Sequence, residues 1–214
     1  MDADGRITAA STGSAGSPDF VLTFAEAAAS SPHTGTFTAQ PGTTKIMVYA
    51  VGGGGSGGSY GSGGRSGGPG GFGVYITSVT APYSVPYFVG SGGNIQNNGG
   101  GNSGGATGIG SPAIFQADGG GGGGVDTPGG TGSAQTTNAT YNLSGPSSPG
   151  PDSTPIARTN IGFWGGPSEW TGTIGPGAEK RRRNIGVGGQ GGYFPGASFC
   201  GGNGAIRFYE NLVS

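Results

Sequence analysis

The chain has 214 residues, of which 55 are glycine, 31% are apolar and 9% are charged, with a formal net charge of -1. Average globular chains carry about 7% glycine, about 45–50% apolar and about 25% charged residues, so an ordinary helical or α/β enzyme with a thick core is excluded. Disorder driven by net charge fits no better, because 10 Phe, 8 Tyr and 2 Trp remain to be buried.

In chain order, residues 1–34 are expected to form an N-terminal arm or attachment segment, and residues 35–214 a glycine-rich β domain. Residues 1–19 are small and polar without periodicity. Phe20-Val21-Leu22-Thr23-Phe24 suits a short strand, whereas Ala25-Glu26-Ala27-Ala28-Ala29 has helix propensity, and both remain open. Thr36-Phe37-Thr38 leads to Gln40-Pro41-Gly42-Thr43, where proline presets the first turn position and glycine accepts positive φ at the second, the pattern of a type II turn. Lys45–Val51 is apolar on both faces and suits a central strand between two layers. Phe72, Val74 and Ile76 alternate along a further strand, Tyr87-Phe88-Val89 follows the Ala81-Pro82-Tyr83 turn, and 113–117 and 205–210 complete the set. The expected fold is all-β, a small antiparallel β sandwich with glycine-rich threefold helices and long loops.

Between these strands, glycine recurs at every third position from Gly52 to Gly73, and Val187, Gln190 and Tyr193 are likewise three apart within Gly186–Tyr193. Three residues per turn is the period of a polyproline II helix. Ordering a glycine costs roughly 0.5–1 kcal/mol more than ordering an alanine, so ordered tracts need contacts that only glycine permits. Threefold polyglycine helices lying side by side supply them, through N–H···O and Cα–H···O bonds. Collagen is disfavoured, because proline is sparse in the tracts and the Gly-x-y register lapses over 74–118.

The order of strands and tracts resembles a known family. Thr36-Phe37-Thr38, Pro41–Lys45, the strand ending at Val51, Gly52–Gly55, Gly70-Gly71-Phe72, Val89–Gly93, Gly119–Gly124 and the closing Gly201–Tyr209 are similar to the glycine-rich domain of bacteriophage tail-fibre and related virion proteins. The resemblance covers about residues 35–212, and 141–184 depart from it by being richer in Pro, Thr and Trp. It implies a tail-fibre or receptor-binding component of the virion. The alternative is a structural virion protein, such as a capsid decoration or tail adaptor. It also implies a homotrimer, docking of residues 1–30 to another virion protein, and a host-cell surface glycan or outer-membrane protein as partner.

Chemistry-bearing motifs are few. Repeated Gly-x-Ser-x-Gly strings, those centred on Ser56, Ser59 and Ser103 among them, are what a Gly/Ser tract produces by chance, and His33 is the only histidine. No catalytic site, cofactor or metal is expected, and the chain is read as a non-enzyme. Cys200, the only cysteine, forms no internal disulfide and is expected as a small buried residue beside the last strand. Met1–Arg6 lacks the basic start and apolar stretch of a signal peptide, so synthesis in the cytoplasm is expected, and the resemblance implies that of a host cell with incorporation into the virion. Nucleic acid is not expected as a partner, given the slightly negative charge. The candidate receptor-binding residues are Phe163, Trp164 and Trp170, with Tyr193 and Phe194 as second choices, because aromatics held between glycines can stack on sugars or enter a partner pocket; the alternative is that they serve as core, since a glycine lattice has few large side chains. Arg181, Arg182 and Arg183 form the one charge cluster; it suits a solvated loop, an ion pair with the next subunit, or contact with anionic lipopolysaccharide or phosphate.

Overall fold

The computed structural model describes residues 23–26, 32–59, 64–94, 99–124, 134–135, 141–143 and 200–210. Ten strands occur there: β1 (Thr23–Glu26), β2 (His33–Thr38), β3 (Lys45–Val51), β4 (Phe72–Ser78), β5 (Ser84–Val89), β6 (Thr107–Gly110), β7 (Ala113–Ala117), β8 (Ala134–Gln135), β9 (Tyr141–Leu143) and β10 (Ala205–Glu210). They form two five-stranded sheets, ordered β1-β10-β3-β4-β9 and β2-β5-β6-β7-β8, with every pairing antiparallel. No helix occurs among the described residues. The open choice at 20–29 resolves to strand at 23–26, where Phe24 pairs with Arg207. This strand falls within the stretch expected as an arm; residues 1–22 and 27–31 lie outside the described residues.

The position of β3 follows from its sequence. Ile46, Val48 and Ala50 enter one apolar cluster, and Tyr49 and Val51 enter another on the opposite face, so the strand is buried on both sides. It lies in the middle of its sheet, between β10 and β4. The first cluster draws on both sheets: Ile206 and Phe208 of β10 join Phe37 of β2, Val85 and Val89 of β5, and Phe115 of β7. The Phe37 and Phe208 rings stack between the sheets with centroids 4.2 Å apart and planes 2° from parallel. Pro86 sits mid-strand in β5 opposite Thr36, and β6 pairs with β5 only at Tyr87 and Phe88, so the missing N–H leaves no ladder bond unmade on that side.

The turn at Pro41-Gly42 has the expected form. Gly42 has φ of 90°, and the Thr43 N–H donates to the Gln40 carbonyl at 3.1 Å. A buried carboxylate from the other end of the chain holds this turn: Glu210 accepts from the Gln40 N–H at 2.8 Å and from the Thr43 hydroxyl at 2.5 Å. Glu210→Ala would leave both donors without an acceptor inside the protein. Such losses cost roughly 1–3 kcal/mol, and each kcal/mol moves the midpoint of a domain this size by about 2–4 °C. The expected result is a lower melting temperature by differential scanning calorimetry; an unchanged midpoint would show that the turn holds without this strut.

Candidate functional site

Six of the strands continue directly into glycine segments at one end of the sheets. β3 runs into 52–59, 64–71 into β4, β5 into 90–94, 99–106 into β6, β7 into 118–124, and 200–204 into β10. The tight turns Pro41-Gly42, Ala81-Pro82 and Ser111-Pro112 close the other end.

Segment 52–59 is central, and its backbone donors rotate with a period of three. The N–H groups of Gly52, Gly55 and Gly58 donate to the carbonyls of Gly71, Gly68 and Arg65, each at 2.9 Å. Those of Gly53, Ser56 and Ser59 donate to Gly105, Asn102 and Gly99, again at 2.9 Å, and that of Gly54 donates to Gly202. The carbonyls rotate in the same way: Gly53 and Ser56 accept from Gly120 and Gly123, and Gly54 accepts from Gly93. The five flanking segments bond to one another in the order 64–71, 118–124, 99–106, 90–94, 200–204. Glycine is required by the spacing between these backbones. A Cβ on Gly55 would collide with the Gly121 carbonyl, and one on Gly104 with that of Gly53.

Side chains enter where they bond to the backbone. The buried Ser56 hydroxyl donates to the Asn94 carbonyl at 2.7 Å and accepts from the Asn102 N–H at 2.8 Å, so this serine of a Gly-x-Ser-x-Gly string ties three segments together. The Asn203 side-chain oxygen accepts from the Gly92 N–H at 3.2 Å, and the Thr107 hydroxyl from the Gly90 N–H at 3.1 Å. His33 opens β2 and lies 3.3 Å from the Tyr87 hydroxyl, on the surface. Cys200 is a half-buried free thiol just before β10. Burial raises the Tyr49 and Tyr83 phenols above the ordinary tyrosine range, reinforced by Tyr209 and Tyr75 respectively.

The far end of the glycine segments is where the described residues break off, after Ser59, before Arg65 and Gly99, and after Gly124. Gly58 donates to Arg65, Ser59 to Gly99 and Arg65 to Gly124, so the flanks of 60–63, the flank of 95–98 at Gly99 and the exit at Gly124 meet there. The sequence reading overlooked this shared end. The signal was partial: Ile95-Gln96-Asn97-Asn98 interrupts a glycine tract between two strands, whereas 60–63 keeps the glycine period of its tract. Phe163, Trp164, Trp170, Arg181, Arg182, Arg183, Tyr193 and Phe194 all lie outside the described residues, as does the tract 186–192.

A family model for the glycine-rich domain matches residues 30–211. The chain belongs to that glycine-rich domain family. No curated protein matches the chain.

Proposed function

We propose that the two sheets form a β sandwich, that the glycine segments are threefold, polyglycine II-like helices, and that this scaffold is the receptor-binding component of a phage tail fibre. The period-three donor pattern along 52–59 supports the helices, and the apolar cluster shared by both sheets supports the sandwich. The observation carrying the functional reading is the division of the molecule into a backbone-bonded glycine framework and one end where Ser59, Arg65, Gly99 and Gly124 converge. A rigid framework lets loops vary without unfolding the core, which is what a recognition surface needs.

Of residues 141–184, Tyr141–Leu143 belong to the framework as β9, and the stretch beyond them, 144–184, would supply the variable contact surface. Phe163, Trp164 and Trp170 would stack on sugar rings or apolar side chains of a host-surface glycan or outer-membrane protein. Arg181, Arg182 and Arg183 would draw in anionic groups, giving adsorption that weakens with salt. Residues 1–30 would dock to another virion protein, in a homotrimer visible by sedimentation at micromolar concentration. The test changes Trp164 and Trp170 to Ala in assembled particles and measures host adsorption beside particle yield. The expected result is an adsorption loss on the order of tenfold or more with normal yield, as for a pair of aromatic hot spots. Normal adsorption with normal yield would remove the two tryptophans from the contact surface, and loss of assembly alone would favour a structural virion role.

A further inference from the structure

In the glycine framework, the rows that face a neighbouring segment are glycine. In 118–124 a Cβ on Gly119 or Gly122 would meet the carbonyl of Gly104 or Gly101, and one on Gly120 or Gly123 would meet the backbone of 64–71. In 99–106 a Cβ on Gly101 or Gly104 would meet the carbonyl of Ser56 or Gly53 in the central segment. Where a serine takes such a row, at Ser56, its hydroxyl bonds the Asn94 carbonyl and so forms part of the packing.

Outside the pair 99–106 and 118–124 lies a groove that faces water. Asn102 and Ser103 are exposed there, and Gly101, Gly104, Gly119 and Gly122 are half-buried. Among the described residues, Gly119 and Gly122 have neither N–H nor carbonyl in a hydrogen bond, and no N–H reaches the carbonyls of Gly101 and Gly104. The directions of these groups follow from the threefold rotation, so the inference rests on the threefold-helix reading above. Around 118–124 the places run 64–71, centre, 99–106, groove. Gly120 turns its Cβ position to the first and its N–H to the second, so Gly119 and Gly122, whose Cβ positions face the third, turn their N–H groups into the groove. Around 99–106 the places run 90–94, centre, 118–124, groove. Row 101/104 has its Cβ position at the centre and its N–H at 118–124, whereas Gly105 has its N–H at 90–94, two places back. A third of a turn is two places, so the remaining row, Gly100, Ser103 and Ala106, has its Cβ two places forward, in the groove.

We propose that Ser103 and Ala106 close this groove against a glycine segment of a second copy of the chain. One wall has an unbonded donor row and the other an acceptor row that takes no N–H, and inside the framework it is such rows that bond, as Gly101 and Gly104 donating to Gly123 and Gly120 show. Every copy carries threefold segments at its surface, so an open groove would let copies pack backbone to backbone, much as an unprotected strand edge lets sheets pair. A Cβ on row 100/103/106 holds the incoming backbone off, because the approach distances inside the framework leave no room for one. Segment 99–106 is thus glycine at 101 and 104, where it faces inwards, and carries Asn102 and Ser103 where it faces water.

The test compares the full-length protein with Ser103→Gly/Ala106→Gly and with Ser103→Ala, by sedimentation velocity over a roughly 100-fold range of concentration and by hydrogen exchange of the peptide spanning 118–124 at both ends of that range. The double glycine variant is expected to assemble beyond the wild-type state as concentration rises, with exchange over 118–124 slowed on the order of tenfold as the Gly119 and Gly122 N–H groups gain acceptors. Ser103→Ala keeps the Cβ and is expected to sediment as the wild type does. A double variant that sediments like the wild type throughout would overturn the proposal. So would equal association of Ser103→Ala, which would assign the effect to the hydroxyl, or association with faster exchange over 118–124, which would trace it to a loosened segment. Thermal melts of Gly55→Ala separate this proposal from the reading it rests on: if that variant is destabilised, such results remove the closed groove alone, and if it is tolerated, the threefold lattice falls with it.

Discussion

Gly55→Ala is expected to destabilise the protein by about 3 kcal/mol or more, lowering the melting temperature by roughly 6–12 °C. The sign is the informative part. In a loosely held tract, replacing glycine by alanine restricts the unfolded chain and stabilises by about 0.4–1 kcal/mol. Here the added methyl would meet the Gly121 and Gly120 carbonyls, while the Gly55 N–H is tied to the Gly68 carbonyl. Neither neighbour has a side chain that can rotate away, so relief requires backbone movement and strains the adjoining hydrogen bonds. Ser103 provides the control, since it is exposed on segment 99–106 and Ser103→Ala removes only a hydroxyl facing solvent. A rise in melting temperature for Gly55→Ala would mean that the central segment is not held by close backbone approach.

Much of the β framework was legible because its strands are conventional locally. The double-faced apolarity of 45–51 identified a central strand, and Pro41-Gly42 identified the turn before it. The alternation of Phe72, Val74 and Ile76 was also sound, although its apolar row faces the second cluster rather than the one shared by the sheets. β6 went unseen because Thr107-Gly108-Ile109-Gly110 carries one large apolar side chain; Ile109 is fully buried, while Gly108 lies against the Phe115 backbone of β7. β8 and β9, of two and three residues, are too short for any periodicity to register.

The glycine segments reverse the usual relation between sequence and contact. Their neighbours are chosen by backbone bonds at intervals of three, so the sequence marks the row that must be glycine without naming the segment it packs against. Gly93, for example, donates to Gly54, and Gly201 donates to Gly93, across separations that no local pattern encodes. The candidate contact residues were legible only by type. Aromatic and arginine side chains stand out against a glycine-rich background, yet their positions in 163–194 lie outside the described residues.

Phe208→Ala should be the most damaging single truncation in the β core, at about 3–5 kcal/mol out of a typical total of about 5–15. Phe208 is fully buried on β10, stacks on Phe37 of the opposite sheet, and has the Tyr87 ring 5.7 Å away. Its strand is held on both sides, with Phe208 opposite Val48 of β3 and Thr23 of β1. The cavity would therefore open between two sheets whose backbones are pinned, which leaves little room for collapse. The effect should also travel. β10 is the direct continuation of 200–204, and Gly204 and Gly201 donate to Gly90 and Gly93, which continue β5. Loosening β10 would free the ends of both glycine segments, so amide exchange at Gly201 and Gly204 should accelerate along with that of β10. Phe208→Leu, which retains most of the volume, should show a smaller loss in both measurements. If Phe208→Ala lowers the melting temperature but leaves exchange at Gly201 and Gly204 unchanged, the glycine framework and the sheets unfold as separate units, and the strand-to-tract continuity does not couple them.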